Sequence, residues 1–142
     1  LTSEGESPTV LFVCVSNAGK SVMAQHLARQ IFGARITALS AGTHAKAAIN
    51  PLSASVLAEL GIDASGHTPK QLDDNLIRDA DRIVILGNEA QIDHPADTPV
   101  ERWDTDEPSH RGIDGIERMR LIRDDIERRV RSLGSGPADP DG

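Results

Sequence analysis

The stretch Val10-Leu-Phe-Val-Cys14-Val-Ser-Asn-Ala-Gly-Lys-Ser21 constrains this chain more than any other. Val10 to Val13 is short, apolar and rich in β-branched residues, the pattern of a buried strand. From Ser21 the apolar residues switch to helical spacing, with Met23, Leu27 and Ile31 four apart. A strand, a tight loop and a helix in that order point loop N–H groups and the positive end of the helix at whatever lies over the loop. Thiols at helix N-termini beside cations are held as thiolates. Cys14 is therefore expected to be a nucleophile at the lip of an oxyanion cradle.

Gly19-Lys20-Ser21 also ends a nucleotide-binding P-loop, but the first glycine of that pattern would fall at position 14, where the chain has cysteine. A lone cysteine closing a strand is in general more often an inert core residue. The anion loop beside it favours chemistry instead.

At 142 residues the chain is expected to form one domain with a real core. With 22 acidic against 15 basic side chains, a net charge of -7, nucleic acid and acidic membrane surfaces are poor partners. A small oxyanion remains compatible with that charge, because the field of the loop is local. Two Phe, one Trp and no Tyr leave little for base stacking. One cysteine excludes an intramolecular disulfide, and no signal peptide or long apolar span is visible, so a reducing cytoplasmic setting is expected.

Residues 1–8 read as a flexible N-terminal tail, 9–133 as one domain and 134–142 as a disordered tail. A second strand is predicted from Arg35 to Leu39, followed by a turn Ser40-Ala41-Gly42-Thr43. Asn50-Pro51 marks a helix start, with Leu52, Val56 and Leu60 as its buried stripe and Gly61 as its stop. His67, in the following loop, reads as a surface or packing residue. A short acidic helix spans Leu72 to Ala80, and strands span Arg82 to Leu86 and Val100 to Trp103. Then come the acidic loop Asp104 to Pro108 and a helix from Gly115 to Leu133, whose apolar face is Met119, Ile122, Ile126, Val130 and Leu133. Its charged residues read as a solvated face with i,i+4 pairs. Alternating strands and helices predict a single-domain α/β fold, an about four-stranded parallel sheet with helices on both faces. The Cys14 loop then falls at the carboxyl edge of a central strand, where such sheets bind ligands.

Cys14-x5-Lys20-Ser21 resembles the Cys-x5-Arg-Ser/Thr loop of low-molecular-weight tyrosine phosphatases and of the arsenate reductases built on the same fold. The Ser40-Ala41-Gly42-Thr43 turn and Trp103-x3-Glu107-Pro108 follow in that family's order, so the resemblance runs from about Val10 to Leu133. It implies a loop in which Val15, Ser16, Asn17, Ala18 and Gly19 surround the oxyanion, Ser21 stabilises the thiolate, and Ser40 holds an Asn17 in left-handed conformation. It implies a general acid immediately before the proline, which is Glu107; Glu is one methylene longer than the family's Asp, so Asp106 is a second candidate. Lys20 stands where the family has arginine and supplies a point charge in place of a planar fork, which should weaken phosphoryl transfer most.

Thioredoxin-coupled arsenate reductases carry two further cysteines, at positions matching Gly87 and His94 here. The chain is most similar to single-cysteine actinobacterial arsenate–mycothiol transferases, particularly over Arg102 to Pro108 and Gly115 to Arg123. That resemblance implies arsenate as substrate in arsenical resistance, mycothiol as co-substrate, a mycoredoxin or glutaredoxin-like reductase downstream, and no metal or bound cofactor. A low-molecular-weight phosphatase and a non-catalytic oxyanion-binding or regulatory module stay open as alternatives.

Overall fold

The structure is a computed structural model that describes residues 7–94 and 97–135. Of the tails expected at 1–8 and 134–142, residues 1–6 and 136–142 lie outside the described residues. Four strands, β1 (Thr9–Cys14), β2 (Thr37–Gly42), β3 (Arg82–Leu86) and β4 (Val100–Trp103), form one sheet in the order β2-β1-β3-β4. Every neighbouring pair is parallel, with Cys14 opposite Gly42 and Val13 opposite Ile85. The sheet is the predicted four-stranded parallel one.

Helices α1 (Lys20–Phe32), α2 (Pro51–Ala58), α3 (Asp74–Asp79) and α4 (Gly115–Ser135) cover both faces. Side chains alternate along β1, so Val10, Phe12 and Cys14 join the core under α1, α2 and α4. Leu11 and Val13 join the opposite core, with Ile77 of α3. A central strand buried on both sides needs apolar residues at every position, which is why Val10 to Val13 is uninterrupted. Phe12 meets Trp103 with ring centroids 5.9 Å apart. Among the described residues no helix is long and apolar enough to cross a membrane.

Three expectations are corrected. β2 begins at Thr37, because Gly33 turns α1 into a short 3₁₀ turn through Arg35 and the ladder starts where Thr37 N–H meets Pro8 C=O at 2.9 Å. Ser40, Ala41 and Gly42 are therefore the last strand residues and not a turn. On α2, Asn50 caps Leu52 N–H at 2.8 Å as expected, but Leu52 is 38% exposed and the buried residues are Ser53, Val56 and Leu57. Asn50 N–H is tied to Ala18 C=O at 2.9 Å, and this anchor turns position 53 toward the loop. The charged face of α4 is not simply solvated, since Arg123 and Asp125 are buried.

All four strands end at one edge with Cys14, Gly42, Leu86 and Trp103. β1 lies between its sequence neighbour β2 and β3, so the chain switches direction across the sheet beside Cys14 and a crevice opens there.

Candidate active site

Cys14 ends β1 with 7% of its surface exposed. Beyond it the loop carbonyls of Cys14, Val15, Ser16 and Ala18 accept from the backbone N–H groups of Thr43, His44, Lys46 and Asn50 at 3.0, 2.7, 3.0 and 2.9 Å. Carbonyls drawn outward turn the amides of the same peptide units the other way, into the cleft. Ala18 N–H is the exception, bonded to Ser16 Oγ at 3.1 Å. Gly42 lies beneath this arc so closely that a Cβ there would stand 2.6 Å from Val15 O and 2.8 Å from Asn17 N.

Asn17 is fully buried at φ 50°, the left-handed region that asparagine tolerates better than most residues. Its amide is saturated. Oδ1 accepts from Lys70 N–H at 2.8 Å and from His67 Nε2 at 3.2 Å, while Nδ2 donates to Ser21 Oγ at 2.8 Å and Ser40 Oγ at 2.9 Å. Ser40 passes its own proton to Gln25 Oε1, so its oxygen is free to accept. Ser21 likewise accepts from Asn17 and keeps its proton for Cys14 Sγ, 3.0 Å away.

His67 reads from the sequence only as a surface or packing residue, and Gln25 carries no signal there; both prove to be partners in the Asn17 network. No local motif marks them; the signal was the inventory of a buried asparagine, whose four hydrogen-bonding capacities require four partners. His67 also meets His26 edge-on at 5.6 Å. Burial, then the charges of His67 and Arg29, hold His26 at about 4, and burial lowers His67 as well.

α1 opens at Gly19 with no side-chain cap, which leaves its first N–H groups toward the cleft. Lys20 reaches across to the end of β3, where a Cβ on Gly87 would lie 3.6 Å from Nζ. Arg102 braces that segment, donating to Gly87 O at 2.7 Å and Ala90 O at 2.9 Å.

An open cavity of about 850 Å³ separates the Cys14 loop from the acidic loop, and Asp106 and Glu107 both line it. Glu107 caps the 3₁₀ turn Pro108–Arg111 through Ser109 N–H at 3.3 Å and Ser109 Oγ at 2.8 Å. Its carboxylate also takes Arg118 Nε at 2.7 Å and Nη2 at 2.9 Å. Arg118 above all holds it down at about 2. Asp106 forms a two-point pair with Arg111 at 2.9 and 3.1 Å, which lowers it too. Its backbone N–H is held by Asp125 Oδ2 at 2.9 Å, and Arg129 Nη2 holds Asp104 O at 3.0 Å. Arg118, Asp125 and Arg129 thus form one stripe of α4 that clamps the acidic loop. The structure brings together Cys14, Val15, Ser16, Asn17, Ala18, Gly19, Lys20, Ser21 and Ser40, and places both carboxylates, ionised, across the cavity. No group of three or more His, Cys, Asp or Glu side chains that could hold a metal ion occurs among the described residues.

Residues 9–136 match the family described as low molecular weight phosphotyrosine protein phosphatase. An arsenate reductase of Staphylococcus aureus (strain bovine RF122) is 31% identical over 132 residues, covering 89% of this chain and 96% of that one. Among solved structures, a thioredoxin-dependent arsenate reductase of Corynebacterium glutamicum superposes with TM-score 0.78 at 30% identity, over 94% of this chain and 63% of that one. An arsenate reductase of Archaeoglobus fulgidus superposes with TM-score 0.72 at 30% identity, over 89% and 99%. The chain belongs to the low molecular weight phosphotyrosine protein phosphatase family and stands among the arsenate reductases of that family.

Proposed function

We propose that this protein is an arsenate reductase of the transfer type, in which Cys14 attacks arsenate and an external small thiol, mycothiol, carries the arsenic away. The observation that carries the reading is the Ser21 hydroxyl, which keeps its proton for Cys14 Sγ at 3.0 Å and so aims a hydrogen-bond donor at the attacking sulfur. Similarity to arsenate reductases along the chain supports arsenate as the anion.

Arsenate oxygens rest on the loop amides, the start of α1 and Lys20. The Sγ–As bond forms as an As–O bond breaks, and the departing hydroxide leaves as water with a proton from the acidic loop. Arsenic stays pentavalent in this step. Asp106, once protonated from solvent, supplies the proton in preference to Glu107, because its partner Arg111 is more exposed than the Arg118 that, with Ser109, holds both Glu107 oxygens. An incoming thiolate then attacks arsenic, the Cys14–As bond breaks, and an arseno-thiol adduct leaves for reduction by a mycoredoxin-like protein. Cys14 is the only cysteine of the chain, so this second thiol comes from outside it.

The test is mass spectrometry of thiol adducts formed from arsenate with mycothiol, glutathione or reduced thioredoxin, with an aryl phosphate run in parallel. An adduct with mycothiol is expected, absent in Cys14→Ser, while that variant still binds phosphate. Turnover with thioredoxin alone would replace the acceptor. Aryl phosphate hydrolysis without arsenate chemistry would make the protein a phosphatase, and binding without any turnover would make it an oxyanion-binding module.

A further inference from the structure

On the loop side of the cavity Lys20 offers a point charge, and two guanidinium groups, of Arg118 and Arg111, line the opposite wall. Arg118 is committed to both oxygens of Glu107. Arg111 differs: it is 53% exposed and its fork lies on Asp106 at 2.9 and 3.1 Å. Exposed pairs of this kind are weak and readily exchanged. Asp106 does not depend on the pair for its place, since Asp125 holds its backbone N–H at 2.9 Å. Gly112, at φ 80°, ends the turn just after Arg111 and leaves that side chain at the rim.

We infer that Arg111 is a substrate-positioning residue that exchanges Asp106 for the bound oxyanion, gripping two of its oxygens with the planar fork that Lys20 lacks. The inference rests on the oxyanion reading of the Cys14 loop. A dianion attracts a guanidinium more strongly than a single carboxylate of similar geometry does. The cavity lining carries Lys20, Arg111 and Arg118 against Glu89, Asp104, Asp106 and Glu107. A dianion entering that surround strongly disfavours an Asp106 stripped of its cation, so Asp106 takes up a proton from solvent as Arg111 leaves it. That proton then passes to the hydroxide departing from arsenic, forming water and returning Asp106 to the carboxylate that re-pairs with Arg111. Substrate entry thereby arms the acid, and an empty site keeps it ionised.

The test is calorimetric binding of inorganic phosphate to the Cys14→Ser protein at constant ionic strength, with the variants Arg111→Ala, Arg111→Lys and the charge-balanced pair Arg111→Ala with Asp106→Asn. The double variant keeps the net charge of the parent, so loss of a neutral surface pair alone leaves its affinity unchanged. The exchange predicts at least a fivefold weaker affinity in the double variant and partial recovery in Arg111→Lys. In the Cys14 enzyme, Arg111→Ala should raise the KM for arsenate and lower kcat together. Thermal unfolding of each variant separates a lost contact from a lost fold, and Arg111→Lys keeps the test open should the alanine variants unfold. A double variant that binds phosphate as its parent does overturns the inference alone. Failure of the Cys14→Ser parent to bind phosphate at all removes the oxyanion reading and this inference with it.

Discussion

A methyl group at position 42 decides whether the anion loop can close. The atoms it would meet are Val15 O and Asn17 N at 2.6 and 2.8 Å, backbone atoms already fixed by the His44 N–H bond to Val15 O and by the left-handed Asn17. Nothing there can rotate aside. Gly42→Ala should therefore cost about 1–3 kcal/mol of stability and abolish phosphate binding by the Cys14→Ser protein. Gly66→Ala, where a Cβ meets nothing within 4 Å, should leave both unchanged, and calorimetry with urea unfolding reads the contrast. At this scale the sequence was most informative where a residue type has a single physical use, as with a cysteine before an Asn/Gly/Lys/Ser loop. It was least informative for His67, because a histidine that completes an asparagine's hydrogen bonds from 50 positions away leaves no local mark.

The acidic loop owes its position to α4 more than to its own residues. Glu107 caps the turn and pairs with Arg118, while Asp125 and Arg129 hold the backbone just before it, at Asp106 N–H and Asp104 C=O. Glu107→Gln keeps the shape but loses the charge-assisted bonds, and should cost about 2 kcal/mol at pH 7. The pair also sets a pH dependence. Glu107 falls from its ordinary 4.5 to about 2 chiefly through Arg118, so its contribution is complete above pH 4.5 and is lost as pH falls toward 2. Glu107→Gln should flatten that limb in urea unfolding between pH 5 and pH 2.5; a variant that declines as steeply as the wild type would show that the pair does not support the loop. Period alone disclosed the apolar stripe of α4. Its charged stripe could not be read further, because arginine and aspartate at helical spacing look alike whether they face water or a loop.

Across the whole molecule, acid should act in two windows. The first belongs to His26, held at about 4 by burial and by the neighbouring His67 and Arg29, with Nε2 buried and lacking a partner among the described residues. A folded value below the ordinary 6.5 means that the unfolded chain binds the proton more readily, so stability is full above 6.5 and falls between 6.5 and 4. His26→Phe should remove most of a loss of about 1–3 kcal/mol in that range, measured as urea midpoints at pH 7, 5.5 and 4; parallel curves for both proteins would locate the loss elsewhere. The second window opens below 4.5, where Glu107 and Glu59, each held at about 2 by arginines of α4, lose their pairs. By itself the sequence determined the α/β class, the strand–loop–helix around Cys14 and the apolar faces, since these follow from local period, caps and residue shape. Only the tertiary structure decided that β2 runs into Gly42, that Ser53 and not Leu52 faces the loop, that His67 and Gln25 complete the Asn17 network, and that Glu107 and Asp106 are held by arginines. Each of those depends on which distant backbone or charge comes within about 3 Å, the range of a hydrogen bond, and that distance is set by how helices and loops settle on the sheet.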